Sequence, residues 1–362
     1  MHTRTIVIIA LAVCFTCAIP APSLSQTAPP VDQAEGSNAT GTQLRIGTAV
    51  VSGSVWVDGS IVTGDPEDES VDTFRLRRAR LGIAGSLTPR LGYNVGGELT
   101  AQPALRTAFL MLRLHDQLNV RVGQANPITA LERGTSPTSL ELIERSEVTS
   151  ELTGPSDVGI TFFNPEPYKG WFGYALNLTN GAGFNRPDNN DSKDVSGRIA
   201  LSPGAKSGLT LVASGARGEQ PKGLLTRAGF GADYKIQAWH MLAEWLRQRR
   251  DNLPVSDGYV VMAAYRYRPA TRTPDFTQLD FAARVWVLND HATAAGVPSS
   301  IIDDEGGGGS VVQPGIVTTR EFQAGMNYYF TPNIRLMGDV VVPFDDRVHP
   351  GPSVLMRWQV QF

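Results

Sequence analysis

The last ten residues of the chain, Ser353–Phe362, read SVLMRWQVQF and alternate between apolar and polar side chains. Every second position from Val354 to Phe362 is apolar, and three of the four positions between them are polar, namely Arg357, Gln359 and Gln361. Because successive side chains of a β-strand point to opposite faces, this period predicts a strand with one apolar and one polar face.

The same alternation recurs upstream, broken by clusters of Gly, Pro, Asn and Asp that are typical of turns. We predict sixteen strands, near 44–58, 72–87, 91–101, 104–114, 118–124, 156–164, 171–180, 194–202, 208–217, 224–236, 238–250, 257–268, 276–289, 318–330, 333–343 and 353–362. The uncertainty of strand boundaries leaves eighteen as an alternative count.

Alternation is also found in soluble sandwiches, so a secreted β-sandwich is one alternative. Three features favour a transmembrane antiparallel β-barrel. Arginines and glutamines occupy mid-strand positions of the polar face, and aromatic residues concentrate near strand ends, as in interfacial girdles. The strands of about ten residues are long enough to cross a bilayer at a tilt. A closed barrel of about sixteen strands leaves no unpaired edge and encloses a water-filled lumen.

Turn lengths predict which barrel end faces which compartment. The links at Thr88–Arg90, Gln102–Pro103 and Thr331–Pro332 are short, which is typical of periplasmic turns. Those at Gly59–Val71, Asn180–Lys193 and Asp290–Val317 are long and are expected to be extracellular.

The N-terminus has the features of a secretory signal peptide, with Arg4 before an apolar run and small residues before a cleavage site after Ser25. We therefore divide the chain into a signal peptide (1–25), a flexible lead-in (26–43) and the barrel (44–362). A lipoprotein is disfavoured, because Val13 precedes Cys14 where a small residue is expected. Both cysteines lie in the removed segment, which suits an oxidising compartment. A net charge of −3 gives no basis for nucleic acid as a partner.

Several motifs between Phe74 and Phe163 resemble the phosphate-selective porin O and P family of bacterial outer-membrane porins. They are the run FRLRRARLG at 74–82, GSL at 85–87, RVGQ at 121–124, LIERS at 142–146 and DVGI at 157–160. The terminal Phe362 is similar to the signal that the outer-membrane assembly machinery reads in this and other barrel families.

The resemblance implies a sixteen-stranded porin of the bacterial outer membrane, usually homotrimeric, that passes small anionic or hydrophilic solutes. It also implies that Ala125–Ser156 folds inward as a constriction, and Ser139–Leu152 has the pattern of a short helix. Phosphate-selective members are expected to carry lysines in this constriction. The chain has five lysines, Lys169, Lys193, Lys206, Lys222 and Lys235. None of them lies within Ala125–Ser156, so the sequence does not support specificity for phosphate.

Arginines on the polar faces are the candidate anion-binding residues, because a guanidinium keeps its charge and binds oxyanions through a planar fork. Pairing with a lumen carboxylate is the alternative role for each. The pore-lining candidates are Arg78, Arg80, Arg121, Arg133, Arg145, Arg266 and Arg284, with Arg198 and Arg357 as further lumen positions. Arg75 and Arg77 have the opposite parity to Arg78 and Arg80, which predicts either a bulge or a position at the polar rim.

No metal-ligand spacing, phosphate-binding loop or nucleophile–base arrangement is readable, so we predict neither a cofactor nor an enzyme. The alternative function is a barrel-embedded hydrolase or acyltransferase. It would use His240 and Glu244, which share the polar face of one predicted strand.

Overall fold

A computed structural model gives the fold of the chain. It describes residues 44–46, 49–62, 73–101, 104–164, 171–204, 207–220, 223–251, 253–271, 273, 275–290, 317–344 and 351–362. The predicted signal peptide and lead-in, and parts of the long connections, lie outside these residues.

The described residues form one antiparallel sheet that closes on itself. Its strands are β1 Leu44–Ile46, β2 Ala49–Val62, β3 Thr73–Ser86, β4 Leu91–Glu98, β5 Leu105–His115, β6 Leu118–Ala125, β7 Asp157–Phe163, β8 Phe172–Thr179, β9 Asp194–Leu201, β10 Leu209–Gln220, β11 Gly223–Ile236, β12 Trp239–Arg250, β13 Ser256–Tyr267, β14 Gln278–Asp290, β15 Val317–Thr331, β16 Ile334–Pro343 and β17 Ser353–Gln361. Each strand from β2 to β17 pairs with its neighbours in sequence, and β17 pairs with β2. The barrel therefore has the sixteen strands predicted.

The first predicted strand, 44–58, is wrong in one respect. The barrel strand is β2, and β1 folds back to pair with Ala49–Val51. Strand β17 covers β2 from Ser54 to Val62, and Phe362 exchanges backbone hydrogen bonds of 2.8 and 3.0 Å with Gly53. Strand β1 thus supplies backbone partners to the part of β2 beyond the end of β17, where unpaired amides would otherwise remain.

The predicted alternation places apolar side chains outside. On β17, Val354, Met356 and Trp358 are 41%, 49% and 45% exposed, whereas Arg357 and Gln359 are 1% and 0% exposed. Aromatic residues cluster towards the barrel end where Phe362 lies, including the Phe330–Trp358 pair with ring centroids 5.2 Å apart. The outer surface is therefore apolar, with an aromatic girdle at that end.

Most of the predicted turns fall at the expected end. The links at Thr88–Arg90 and Thr331–Pro332 lie at the same end as Phe362, and the connection at 180–193 lies at the other. The link containing Gln102 and Pro103 does not follow the prediction. It joins the end of β4 to the start of β5, and both lie at the end opposite Phe362. A short link occurs there because Glu98 and Ala104 already close the turn with a backbone hydrogen bond of 2.8 Å. Gln102 and Pro103 themselves are outside the described residues.

The connection between β6 and β7, residues 126–156, lies inside the barrel, and we call it the inner segment. It contains α1 (Leu131–Gly134), a 3-10 turn (Pro137–Ser139) and α2 (Glu147–Leu152). Among the described residues, no helix is long and apolar enough to cross a membrane. The two helices pack on inward-facing side chains of β9, β10 and β12–β14. That cluster consists of Ala130, Leu131, Val148, Leu152, Ala200, Val212, Leu242, Leu246, Val260, Met262, Trp286 and Leu288.

The predicted helix over Ser139–Leu152 is too long, since only Glu147–Leu152 is α-helical. Ser146 caps its start by accepting a hydrogen bond of 3.2 Å from the backbone N–H of Thr149. The residues before Ser146 do not become helical, because their backbone groups bind side chains of the barrel wall instead.

Candidate channel constriction and its arginine wall

The stretch Leu140–Glu144 of the inner segment is bound to β14–β17 through its backbone. Arg335 donates to the Leu140 carbonyl at 2.9 Å, and the Ile143 N–H donates to Asp339 at 2.7 Å. The other contacts are Asn327 to the Glu141 carbonyl at 2.7 Å, Arg284 to the Glu144 carbonyl at 2.9 Å, and Arg357 to the Ile143 carbonyl. Wall side chains thus replace the secondary-structure partners of this stretch.

A second set of contacts holds the helical part of the inner segment. Glu244 of β12 accepts hydrogen bonds from the N–H groups of Leu131 and Glu132 at 2.6 and 3.2 Å. The Glu132 carboxylate accepts from the hydroxyls of Ser146 and Thr149 at 2.5 Å each, and from Arg284 at 2.8 Å. Three donor side chains around one buried carboxylate fix α1, α2 and the wall relative to one another.

Arg357 joins three parts of the barrel. Its Nε and Nη2 each lie 2.7 Å from an Asp58 carboxylate oxygen, a bidentate pair between β17 and β2. Its Nη2 also lies 2.7 Å from Glu144 of the inner segment. Burial alone would raise the pKa of Glu144, but Arg357 and Arg77 outweigh it, so the pKa lies below its usual range.

His240 and Glu141 form the contact on the β11–β12 side. Nδ1 of His240 lies 2.6 Å from Glu141 of the inner segment, and Nε2 lies 2.8 Å from Asp233 of β11. Burial would raise the pKa of Glu141, but the hydrogen bond from His240 outweighs it and the pKa is lowered. Both ring nitrogens of His240 are therefore hydrogen-bonded, Nδ1 to the inner segment and Nε2 to β11. Both carboxylate oxygens of Glu244 are bound to the backbone of the inner segment.

The parity conflict among the arginines of β3 is resolved by a β-bulge. Opposite β2, Trp56 pairs with Arg78 and Val57 pairs with Leu76, so Arg77 is the extra residue. The bulge brings Arg75 to the same face as Arg78 and Arg80, while the Arg77 side chain also reaches an inner-segment carboxylate. Arg75, Arg77, Arg78 and Arg80 therefore line the lumen together, and we call them the arginine wall.

The arginine wall borders the inner segment. Arg77 lies 2.9 Å from Glu144, Arg80 lies 2.9 Å from Glu98, and Arg75 lies 3.9 Å from Asp58. Arg78 lies over the Trp56 ring, 4.7 Å from its centroid, and Arg357 lies 4.5 Å from the same centroid. The Arg75 side chain is 61% exposed, so the wall presents positive charge to the solvent-filled part of the lumen.

The remaining predicted arginines lie on or beside the inner segment. Arg121 donates to the Asn126 carbonyl at 2.8 Å, and Arg133 donates to the Asn126 side chain at 3.1 Å. Arg145 binds the carbonyls of Glu132 and Thr135. Arg266 lies 3.3 Å from Asp280, Arg284 lies 2.8 Å from Glu132, and Arg198 is buried on β9. Pairing with a lumen carboxylate, the alternative role, is thus seen at Arg80, Arg266, Arg284 and Arg357.

Sequence reasoning did not identify Asp339 and Gln359 as partners of the inner segment, or Asp58 as the partner of Arg357. Gln359 donates to the Thr138 carbonyl at 3.1 Å, and Asp339 receives the Ile143 N–H. Their alternation with apolar residues indicated that these side chains point into the lumen. The sequence of these strands does not indicate which backbone groups, distant along the chain, the side chains bind. Among the described residues, no group of acidic, His and Cys side chains could hold a metal ion.

Solved structures share this architecture. The chain superposes on Salmonella typhi OmpF in complex with daunomycin with a TM-score of 0.61 and 12% identity, covering 89% of this chain and 100% of that chain. The anion-selective porin from Comamonas acidovorans gives 0.57 and 12%, covering 87% and 98%. The trimer form of Vibrio cholerae OmpT gives 0.55 and 12%, covering 87% and 99%. At such identities the likeness shows the fold alone.

A search of curated protein sequences finds no match. The model of the family described as phosphate-selective porin O and P does match, over residues 51–222, which include the arginine wall and the inner segment. The resemblance predicted from the motifs is thereby confirmed over that part of the chain, and the protein is a closed β-barrel with the fold of outer-membrane porins whose residues 51–222 match the phosphate-selective porin O and P family.

Proposed function

We propose that this chain forms a water-filled channel for the passive diffusion of small hydrophilic solutes across the outer membrane, with a preference for anions. The observation that carries the preference is the arginine wall beside the inner segment. The carboxylates that contact Arg75, Arg77 and Arg80 are Asp58, Glu144 and Glu98, and the first two are shared with Arg357. Five guanidinium groups, with Arg78 included, therefore surround three carboxylates.

Rings or rows of charged side chains set ion selectivity where a pore is narrow. The inner segment narrows the lumen on the side of β9–β17, and the arginine wall lies at the border of the space that remains. Arg75 is the most exposed of its ion-paired members. A solute that passes this border meets more positive than negative charge.

The name of the Comamonas acidovorans structure, an anion-selective porin, agrees with this preference. We do not extend the proposal to specificity for phosphate, because none of the five lysines lies in the inner segment. The family and the fold favour a channel over an enzyme. The hydrolase alternative has no support from His240 and Glu244, whose hydrogen bonds go to Glu141, Asp233 and the backbone of α1.

The test is the reversal potential of the purified chain in a planar bilayer under a potassium chloride gradient. We expect an anion-favouring potential, shifted towards cations in the double variant Arg75→Gln with Arg77→Gln. The matched control is Arg320→Gln, which removes a positive charge from the exposed outer face of β15. A wild-type potential that favours cations would contradict the anion preference, and an absence of stepwise conductance would contradict the channel itself.

We also propose how the chain reaches the outer membrane and in which oligomeric state it functions. Residues 1–25 would direct export and be removed, 26–43 would form a lead-in, and Phe362 would be read by the assembly machinery. A homotrimer is supported by the trimer form recorded for Vibrio cholerae OmpT. The mass of the detergent-solubilised protein by light scattering distinguishes a trimer from a monomer.

A further inference from the structure

The outer face of β10–β12 carries three arginines at the barrel end opposite Phe362. In the strand register, Arg217 lies opposite Thr226, and Thr226 lies opposite Arg249. Arg247 precedes Arg249 by two residues and so points to the same side. All three side chains are exposed, whereas Leu225 and Leu246 on the inward parity are buried.

These arginines are close together and have no carboxylate partner within ion-pair distance in the described part of the chain. With strands about 4.8 Å apart and residues about 3.4 Å apart along a strand, the three Cα atoms fall within roughly 12 Å. Three acidic residues lie near them: Asp257 opposite Arg247, Glu219 two residues after Arg217, and Asp251 two residues after Arg249. Each accepts a hydrogen bond from another group, Asp257 from Asn289 at 3.1 Å, Glu219 from Ser192 at 2.7 Å and Asp251 from the Leu224 N–H at 3.2 Å. None of these carboxylates lies within ion-pair distance of the three arginines, so the guanidinium groups are available to an anionic ligand.

The depth of the cluster follows from its neighbours. Trp245 and Phe230 lie on the same outer face, one pair of residues further along the strands, with ring centroids 6.0 Å apart. Aromatic side chains on a barrel surface concentrate where hydrocarbon meets headgroups. A lipid-facing Arg is strongly destabilising at the bilayer midplane and close to neutral near the interface. Arg217, Arg247 and Arg249 thus belong at headgroup level, just beyond the aromatic pair.

Headgroup level at this barrel end is that of the outer leaflet, because Phe362 and most of the short turns, including Thr88–Arg90 and Thr331–Pro332, lie at the other end. We propose that Arg217, Arg247 and Arg249 form a binding site for a phosphate-bearing lipid headgroup of the outer leaflet. Guanidinium groups bind phosphate through paired, charge-assisted hydrogen bonds, and three of them match a headgroup with more than one phosphate. The acyl chains of that lipid would lie along Phe230 and Trp245.

Native mass spectrometry of the full-length chain in detergent tests this site with bis-phosphorylated lipid A as the probe. We expect retained lipid on the wild type, and affinity at least about tenfold lower in Arg217→Gln with Arg249→Gln, since each substitution removes charge-assisted hydrogen bonds to phosphate. The matched control is Arg90→Gln with Arg113→Gln, which removes two exposed positive charges at the opposite end. This control should bind lipid as the wild type does.

Three results would overturn the proposal. One is equal lipid affinity in the Arg217/Arg249 variant and the control. Another is equal binding of lipid A from which the phosphates have been removed. The third is full displacement of the lipid by inorganic phosphate at the same concentration, which would assign the arginines to a free anion. Unchanged conductance and heat-modifiable gel migration of the variant establish that the barrel itself is intact.

Discussion

Glu144 shows how one side chain links the inner segment to the barrel. It lies between Arg77 of the arginine wall and Arg357 of β17, at 2.9 and 2.7 Å. Both arginines belong to strands that are distant in sequence, and both favour the ionised carboxylate. The charge state of Glu144 therefore controls how firmly the inner segment is held at the point where it meets the channel.

This arrangement predicts a defined pH dependence. Because the pKa of Glu144 is lowered in the folded protein, its contribution to stability is present above the ordinary Glu pKa. That contribution is lost only as the pH falls through the lowered value. We expect steady single-channel currents from pH 7 to pH 5, and increased current fluctuation at more acidic pH.

The single-channel current of the variant Glu144→Gln should fluctuate at every pH in this range, since a glutamine cannot form either ion pair. Glu151→Gln is the control, because Glu151 is exposed on α2 and its pKa is raised rather than lowered. A current record of Glu144→Gln that matches the wild type at neutral pH would contradict the role given to Glu144.

At the scale of elements, closure of the barrel depends on the contact between β17 and β2. Gly53 exchanges two backbone hydrogen bonds with Phe362, and the Phe362 ring covers the space where a Gly53 side chain would lie. A Cβ atom at Gly53 would lie 2.3 Å from the ring, well inside van der Waals contact. The terminal aromatic residue and this glycine therefore fit as a pair across the closing seam.

We expect Gly53→Ala to displace the Phe362 ring and to destabilise the closed barrel by about 1–3 kcal/mol, as overpacking does elsewhere. The measurement is the temperature at which the folded form disappears on a heat-modifiable gel. Gly338→Ala is a matched control in β16, because a Cβ atom there has no neighbour within 4 Å. Equal transition temperatures for the two variants would show that the ring is not held by this contact.

For the whole molecule, the inner segment is an insertion between two strands that are already paired. Ala125 and Asp157, the residues that flank it, lie opposite each other in the β6–β7 register. A tight turn can therefore replace it without changing the sheet. Its removal would open the lumen and expose the apolar wall residues that α1 and α2 cover, including Leu246 and Trp286.

We expect a variant with 126–156 replaced by a four-residue Asn-Gly-containing turn to conduct severalfold more current per channel than the wild type. The reason is that the segment fills the part of the lumen beside β9–β14. Single-channel recordings measure the change, with heat-modifiable migration as the check on folding. An unchanged conductance in a folded variant would show that the current follows a path that the inner segment does not narrow.

The sequence alone determined the barrel, because period-two alternation depends only on which face of each strand meets lipid. It therefore predicted the number of strands, their outer faces and the closure of the sheet. It could not determine the parity of Arg75 and Arg77, since a bulge is a property of two paired strands. Nor could it determine the partners of Leu140–Glu144, because Arg335 and Leu140 meet across 195 positions of the chain. Only the closed barrel brings such residues together, and their contacts place the inner segment within the channel.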